Sequence, residues 1–448
     1  MEALSHTPAR IAAGAGLGAL TLLLGYIVQR SDFGALAGTY ALFFGLYSWV
    51  VTRPYWTAAD RRWFTGLGIG LRCTLLFSLP NLSDDFYRFL WDGNLAAHGI
   101  HPFAHPPAYF IENHLHLPGI TPELYGRLNS TEYYTVYPPV CQAAFWLAAK
   151  AFPENIQGGV FVLKLFLLAC ELGTLQTLGR VAENGLAAQN LYALNPLLLI
   201  EITGNVHFEG AMLCFVLAGI AALQRHKIRL AAVFWALATA SKLVPLLFLP
   251  LILAHLGWRR GGRFLLFFAG FCAVLFAPLL HGSLVANMAG SLDLYFRQFE
   301  FNASVYYLLK WAGEAVAPAG TDVARTLGPA LALLVFFGVM GIACYKRTLT
   351  GLLPGRFLAA STLYLLLSTT VHPWYVALPF ALGLRTAFRF PWIWSAAAIL
   401  SYSHYAGGGF RENYAWIAAE YGLVAAALVW DIWRAGKQHH SFELSPTK

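Results

Sequence analysis

The chain has 448 residues, of which 58% are hydrophobic and only 12% charged, against roughly 25% charged in an average soluble domain. That composition excludes a soluble globular enzyme and predicts an all-α polytopic membrane protein; the net charge of +8 then reads as membrane topology rather than as affinity for nucleic acid. Nothing resembles a large polar domain, so residues 1–448 are expected to form a single integral membrane domain.

In chain order, apolar segments of spanning character lie near 10–29, 34–52, 64–80, 158–178, 187–203, 209–224, 264–281, 327–345, 356–371 and 415–434. The first lacks a cleavage-like site and is expected to be retained. The stretch 138–152 is short and opens with Pro138 and Pro139, which predicts a half-helix that does not cross. Residues 229–257 are too long for one span and are interrupted by SKLVP, which predicts two short helices with a break at Lys242. Residues 374–403, divided by RTAFRFP, give two further short spans, for a total of roughly 14 crossings. Cys73, Cys170, Cys214, Cys272 and Cys344 lie in apolar segments and only Cys141 is near a loop, so no disulfide framework is expected.

Charge orients these spans, because cytoplasmic loops collect Lys and Arg. With the N-terminus inside, the loops carrying Arg53, Arg61 and Arg62, then Arg180, QRHKIR, WRRGGR, Lys346 with Arg347, Arg385 with Arg389, and the C-terminal tail all face the cytoplasm. The C-terminus is then cytoplasmic as well. The same topology puts seven polar islands on the opposite face: SDDFYRFLWDG from 83, the YYTVYPP run at 133–139, GNVHFEG at 204–210, SK at 241–242, FRQFEFNAS at 296–304, HPWY at 372–375 and FRENY at 410–414. Islands gathered on one face point to one site. The segment 81–157 is too long for a plain connector and too aromatic for disorder, so it is expected as a large extracytoplasmic catalytic loop containing short helices, with 283–326 as a second such loop.

Ser83 is a plausible N-cap, which predicts a helix starting at Asp84, where the macrodipole favours a carboxylate without any functional demand. On that helix Asp85, Arg88 and Asp92 fall along one face. A carboxylate near an arginine at a membrane surface suits a general base toward a hydroxyl, or a partner orienting a phosphate-binding Arg.

Taken together, SDDFYRFLWDGNLAAHGIHPFAHPP, YPPVCQAAF, NPLLLIEITGNVHFEGAM, SKLVPLLFLP, FEFNASVYYL and TTVHPWYVALP resemble, in this order over roughly residues 64–420, the bacterial mannosyltransferase-like branch of the GT-C glycosyltransferases. The resemblance implies a GT-C-type bundle whose first large extracytoplasmic loop carries a catalytic acid, a polyprenyl-phosphate sugar donor, mannose as the sugar, and transfer with inversion. It points to Asp85 as the base, with Asp84 as the alternative. It also implies a bacterial inner (cytoplasmic) membrane location with the active site outside, and an acceptor that is a glycan, a glycolipid or a protein.

Breaking a sugar–phosphate bond requires cations for the departing phosphate. Lys242, at the predicted helix break, is the first candidate, since an ammonium there either pairs with an anion or snorkels to the interface; Arg88 and Arg297 are further candidates. His207 and Glu209 lie with Asn205 in one turn and are expected substrate contacts, as are His372 and Trp374, Glu300 and Asn302, and Trp91, Asp92 and Tyr137 of the first loop. His98, His101, His105, His114 and His116 invite a metal site, but without paired Cys and among prolines they predict an irregular loop instead. No cofactor is required by this reading, although Asp84 and Asp85 could hold a divalent ion. A lipid-linked glycan polymerase or ligase and a membrane transporter are the rival classes; the absence of a second SDDFYRFLWDG or SKLVP argues against the paired halves of a transporter.

Overall fold

The structure, a computed structural model, describes residues 7–443 apart from 116, 183, 281, 283–298, 319 and 346–352. All of FRQ in the fifth island, including Arg297, and the first part of the expected 283–326 loop therefore lie outside the described residues. Within them the chain is helical, and the only extended pairings are two isolated bridges.

Helix α1 (Thr7–Leu22) runs on through a π turn at Leu23–Ile27, and α2 (Phe33–Thr52) starts where Asp32 Oδ1 accepts from Ala35 N at 3.0 Å. Helix α3 (Ala58–Leu75) opens with a capping box between Thr57 and Asp60, and Arg10 of α1 reaches Asp60 at 2.7 Å. Among the described residues, six helices are long and apolar enough to cross a membrane: Thr7–Ile27, Phe33–Thr52, Ile156–Val181, Val244–Leu279, Val323–Cys344 and Tyr414–Lys437. A seventh is available if Leu198–Gly204 and Glu209–Gln224, bent by 110° at their junction, are one broken span.

That number is below the expected fourteen crossings, and the physical reason is that the remaining candidates are short, broken or charged. Ile228–Ser241 and Leu353–Leu367 are apolar but short. Helix α3 carries Asp60, Arg61, Arg62 and Arg72. Within Val244–Leu279, Gly257 interrupts the helix at φ 68°, ψ 173°, left-handed backbone that glycine adopts without a Cβ penalty. The region 374–403 is divided as expected, into Pro373–Gly383 and Phe390–Gly408.

The segment 81–157 folds into its own module of α4 (Asp85–Ala97), α5 (Pro107–Glu112), α6 (Pro122–Tyr125) and α7 (Pro139–Ala151). Helix α4 begins one residue later than predicted, because Asp84 has non-helical ψ of 0° and turns its carboxylate to Arg30. Helices α4 and α7 pack backbone to backbone: a Cβ on Gly93 would meet the Phe145 carbonyl oxygen at 2.3 Å, while Phe89 and Phe145 stack at 4.7 Å. Trp91, Leu95, Phe110, Ile120 and Leu124 form a separate small core beneath the loop.

Helix α8 (Ile156–Val181) follows, then α9 (Gly185–Ala193), the π turn Leu198–Gly204, α10 (Glu209–Gln224) and α11 (Ile228–Ser241). The buried cations Arg72 and Lys164 both have partners. Arg72 bonds to Glu171, which also accepts from Tyr192 Oη at 3.2 Å and Thr203 Oγ1 at 2.7 Å. Lys164 Nζ donates to Leu75 O, Ser78 O and Ser78 Oγ, all at 2.8 Å, satisfying the carbonyls that end α3. These bonds fix where the chain leaves α3 and enters the 81–157 segment. The six cysteines form no disulfide.

Candidate active site

The break expected at Lys242 is present: α11 ends at Ser241, a 3-10 turn covers Val244–Phe248, and α12 (Leu249–Phe276) follows. Lys242 Nζ lies 3.0 Å from Glu209 Oε1, at the first residue of α10 beyond the 110° bend. The bend is built by the π turn and by Val206, a β-branched residue held at φ 62°. Such backbone is sterically costly and concentrates at functional sites.

From that pair a chain of contacts runs through all seven islands. Lys242 sits over the Tyr137 ring at 5.9 Å, and Cys141 Sγ donates to Ser241 O at 3.1 Å. Asp85 is half-buried, accepts from Asn129 Nδ2 at 2.9 Å, and acts electrostatically on Tyr137, Lys242 and Tyr405. Its neighbour Asp84 pairs with Arg30, whose guanidinium lies 4.8 Å above the Tyr405 ring. His207 stacks on Trp374 at 3.6 Å, and Trp374 on His372 at 4.4 Å. His372 meets Phe301 at 4.5 Å, and Phe301 in turn contacts His404 and Phe410. Burial, followed by the charges of His207 and Lys242, pushes His372 down to about 3, so its imidazole is neutral at physiological pH.

Several expected contacts have other employment. Arg88 is buried, pairs with Asp92 at 2.8 Å and donates to Ser130 O and Tyr133 O at 3.0 Å each, so it braces the loop that carries Asn129 instead of facing the site. Asp92 is also bonded to Gln142, at 3.3 Å, and Trp91 is enclosed in the loop core. Glu300 is bound by Lys310 at 2.7 Å and Tyr306 Oη at 2.7 Å. Asn302 is buried, with Nδ2 donating to Glu420 at 3.1 Å and N donating to Glu412 at 3.3 Å, an internal knot that ties the 299–304 segment to the helix Tyr414–Glu443 and the turn before it.

Arg30, Asn129, Glu201, Tyr402 and Tyr405 were not singled out from the sequence. Arg30 lies among short interhelical residues with nothing local to mark it, and Tyr402 and Tyr405 sit in a segment that reads as apolar. Among the described residues no group of three or more His, Cys, Asp or Glu is arranged to hold a metal ion. His98 Nδ1 bonds Asn94 O, His101 Nδ1 accepts from Phe103 N, and His105 stacks on Tyr109, while His116 lies outside the described residues. A separate cavity of about 730 Å³ is lined by Thr52, Leu191, Phe388, Arg389, Trp392 and Arg434, and none of the clustered residues borders it.

Chemically, the cluster offers the half-buried carboxylate of Asp85, the ammonium of Lys242 and a wall of stacked rings, suited to deprotonating a hydroxyl beside an anionic leaving group. Comparison with known proteins agrees in kind. The chain is 28% identical over 206 residues to alpha-(1->6)-mannopyranosyltransferase A of Mycobacterium tuberculosis, covering 42% of this chain and 37% of that protein. It is 25% identical over 167 residues to alpha-(1->6)-mannopyranosyltransferase B of Corynebacterium glutamicum, covering 36% of this chain and 27% of that protein. The matches thus span well under half the length of either relative. The family model described as "Alpha-(1->6)-mannopyranosyltransferase, N-terminal domain" matches residues 11–257, which include Asp84, Asp85, His207, Glu209 and Lys242. With more than half of its length matched by that model, the chain belongs to the alpha-(1->6)-mannopyranosyltransferase family.

Proposed function

We propose that this protein is a membrane glycosyltransferase that moves mannose from a polyprenyl-phosphate donor to an acceptor hydroxyl, inverting the anomeric centre. The observation that carries this reading is Asp85 placed within electrostatic reach of Lys242, an acid and an ammonium brought to one cluster by separate elements.

Asp85 takes the proton of the acceptor hydroxyl, whose oxygen bonds to the anomeric carbon from the face opposite the phosphate. The carbon–oxygen bond to the phosphate breaks, and its electron pair leaves on the phosphate oxygen. Lys242 receives that charge, releasing part of its attraction to Glu209 as it does so. Asn129 orients the Asp85 carboxylate through its 2.9 Å hydrogen bond. His207, Glu209, Tyr137, His372 and Trp374 line the sugar and phosphate, the rings by stacking on apolar sugar faces. Asp84 serves the site indirectly, by fastening Arg30. The cluster faces the outside of a bacterial inner membrane in this reading, with both termini in the cytoplasm and a bundle of about fourteen crossings, some made by broken helices. The acceptor is a glycan, a glycolipid or a protein.

The test is transfer of labelled mannose from polyprenyl-phosphate mannose in membranes containing the wild type, Asp85→Asn or Asp84→Asn at matched expression. Loss of two or more orders of magnitude in Asp85→Asn, with donor binding retained and a smaller loss in Asp84→Asn, is the expected result. Full activity in Asp85→Asn would remove the base assignment, and a wild type inert toward this donor would remove the donor class.

A further inference from the structure

An inverting displacement puts the acceptor hydroxyl beside the base, on the face of the donor sugar opposite the departing phosphate. The contacts around the two charged groups divide in the same way. Glu209 and the Tyr137 ring meet Lys242. Next to Asp85, by contrast, Asp84 pairs with Arg30, Arg30 covers the Tyr405 ring at 4.8 Å, and Tyr405 meets Phe410 at 5.7 Å. Between those two rings the chain runs through Ala406, Gly407, Gly408 and Gly409. Gly407 and Gly408 have φ of 81° and 86°, left-handed backbone that suits glycine, whereas Gly409 is extended at φ −119° and ψ 158°. A Cβ on any of the three would meet nothing within 4 Å, so the turn has an open floor. It is held at both ends, with Gly407 N donating to Ser31 O at 3.3 Å and Arg411 N to His404 O at 2.8 Å. Phe410 packs on Phe301 at 6.0 Å yet is 54% exposed, and the Tyr405 hydroxyl makes no hydrogen bond among the described residues.

We infer that the 405–410 turn is the acceptor subsite, and that the acceptor is a glycan or glycolipid whose terminal sugar lies over Gly407–Gly409, with one face on the Phe410 ring and a hydroxyl bonded to Tyr405. This rests on the glycosyl-transfer reading above. A sugar has an apolar C–H face and a rim of hydroxyls, and an exposed ring beside an unbonded phenol matches both. Asp84 and Asp85 both act electrostatically on Tyr405, so a sugar held there has its hydroxyls within reach of the base. A peptide acceptor would call for free backbone donors along an extended groove. Here Gly407 N and Arg411 N are already bonded to Ser31 O and His404 O. Anchoring in the membrane interface would explain the exposure of Phe410, but neither the unbonded Tyr405 hydroxyl nor the three open glycines.

The experiment measures transfer from polyprenyl-phosphate mannose to octyl α-mannoside by the full chain. It compares kcat, the KM of each substrate and the thermal midpoint for the wild type, Gly409→Leu, Phe410→Leu, Phe410→Trp and Tyr405→Phe. Because Gly409 is extended and open, leucine there should fold normally and fill the floor. Expected is a rise in acceptor KM of about tenfold or more for Gly409→Leu and about fivefold for Phe410→Leu, with donor KM little changed. Phe410→Trp, which keeps an aromatic face, should lose less than Phe410→Leu, and Tyr405→Phe should raise acceptor KM by about fivefold for its missing hydrogen bond. An unchanged acceptor KM in a folded Gly409→Leu would overturn the inference, as would equal rises in donor and acceptor KM. If Gly409→Leu does not fold, Phe410→Leu decides by the same criterion. Wild-type transfer to acceptors already in the membrane, without saturable use of the mannoside, would overturn the sugar assignment. Inactivity of the wild type toward this donor with either acceptor would instead count against the transfer reading itself.

Discussion

Lys242 and Glu209 meet at 3.0 Å where two helices are each interrupted, one ending at Ser241 and the other restarting after a 110° bend. Glu209 is the more deeply buried partner, with 4% side-chain exposure against 24% for Lys242, and its Oε2 has no hydrogen-bond partner among the described residues. A carboxylate so placed depends on its ammonium. Lys242→Met should therefore lower stability by about 3 kcal/mol, and adding Glu209→Gln should recover much of that loss. Mannose transfer should not recover with it, because the phosphate still lacks its cation. Thermal unfolding in detergent alongside the transfer assay separates the two effects; equal recovery of both would deny Lys242 a role beyond the ion pair.

Arg88 holds Asp92 and the carbonyls of Ser130 and Tyr133, and the same loop carries Asn129, the donor to Asp85. Replacing it by Gln leaves Asp92 without its cation inside the module, at a cost of about 3–5 kcal/mol. The expected outcome is faster proteolysis within residues 126–134 and a loss of transfer at unchanged donor affinity. Reduced donor binding would mean that Arg88 contacts the phosphate directly.

Gly93 allows α4 and α7 to touch through their backbones. In Gly93→Ala the new methyl would stand 2.3 Å from the Phe145 carbonyl oxygen and 2.7 Å from its carbon, neither of which can rotate away. The helices must separate, at about 1–3 kcal/mol, and Asp85 at the start of α4 moves with them. A lowered melting temperature with reduced kcat is expected; a neutral Gly93→Ala would show that the two helices pack less closely.

Acid should destabilise the protein through its buried histidines. Burial chiefly, then His207 and Lys242, holds His372 near 3, and burial holds His404 near 4, against an ordinary value of 6.5. The unfolded chain thus binds these protons first, so their contribution is complete above pH 6.5 and declines as pH falls toward 4 and 3. Glu412, 3.3 Å from His404, has its carboxyl raised above the ordinary 4.5 by burial, and so opposes this trend as pH falls through its raised value. The midpoint of thermal unfolding should drop between about pH 7 and pH 5 and drop less in His372→Asn. A flat profile in the wild type would contradict neutral burial of these rings.

Much of this architecture is legible in one dimension because a bilayer imposes a one-dimensional rule. Every backbone group inside it must be satisfied within its own segment, so apolar helices, and the prolines and charges that interrupt them, declare themselves locally. The break at Lys242, the division of 374–403 and the short α7 after Pro138 and Pro139 were all readable in this way.

The sequence by itself determined that this is a helical membrane protein whose acids, bases and aromatics fall between its spans, since hydropathy and charge act residue by residue. Only the tertiary structure decided which of those residues work together. Arg30 pairs with Asp84, Lys242 with Glu209, and Tyr402 bonds Glu201. Those assignments depend on side chains from separate segments competing for the same buried partners, and hydrogen bonds of this range follow from packing in three dimensions rather than from spacing along the chain.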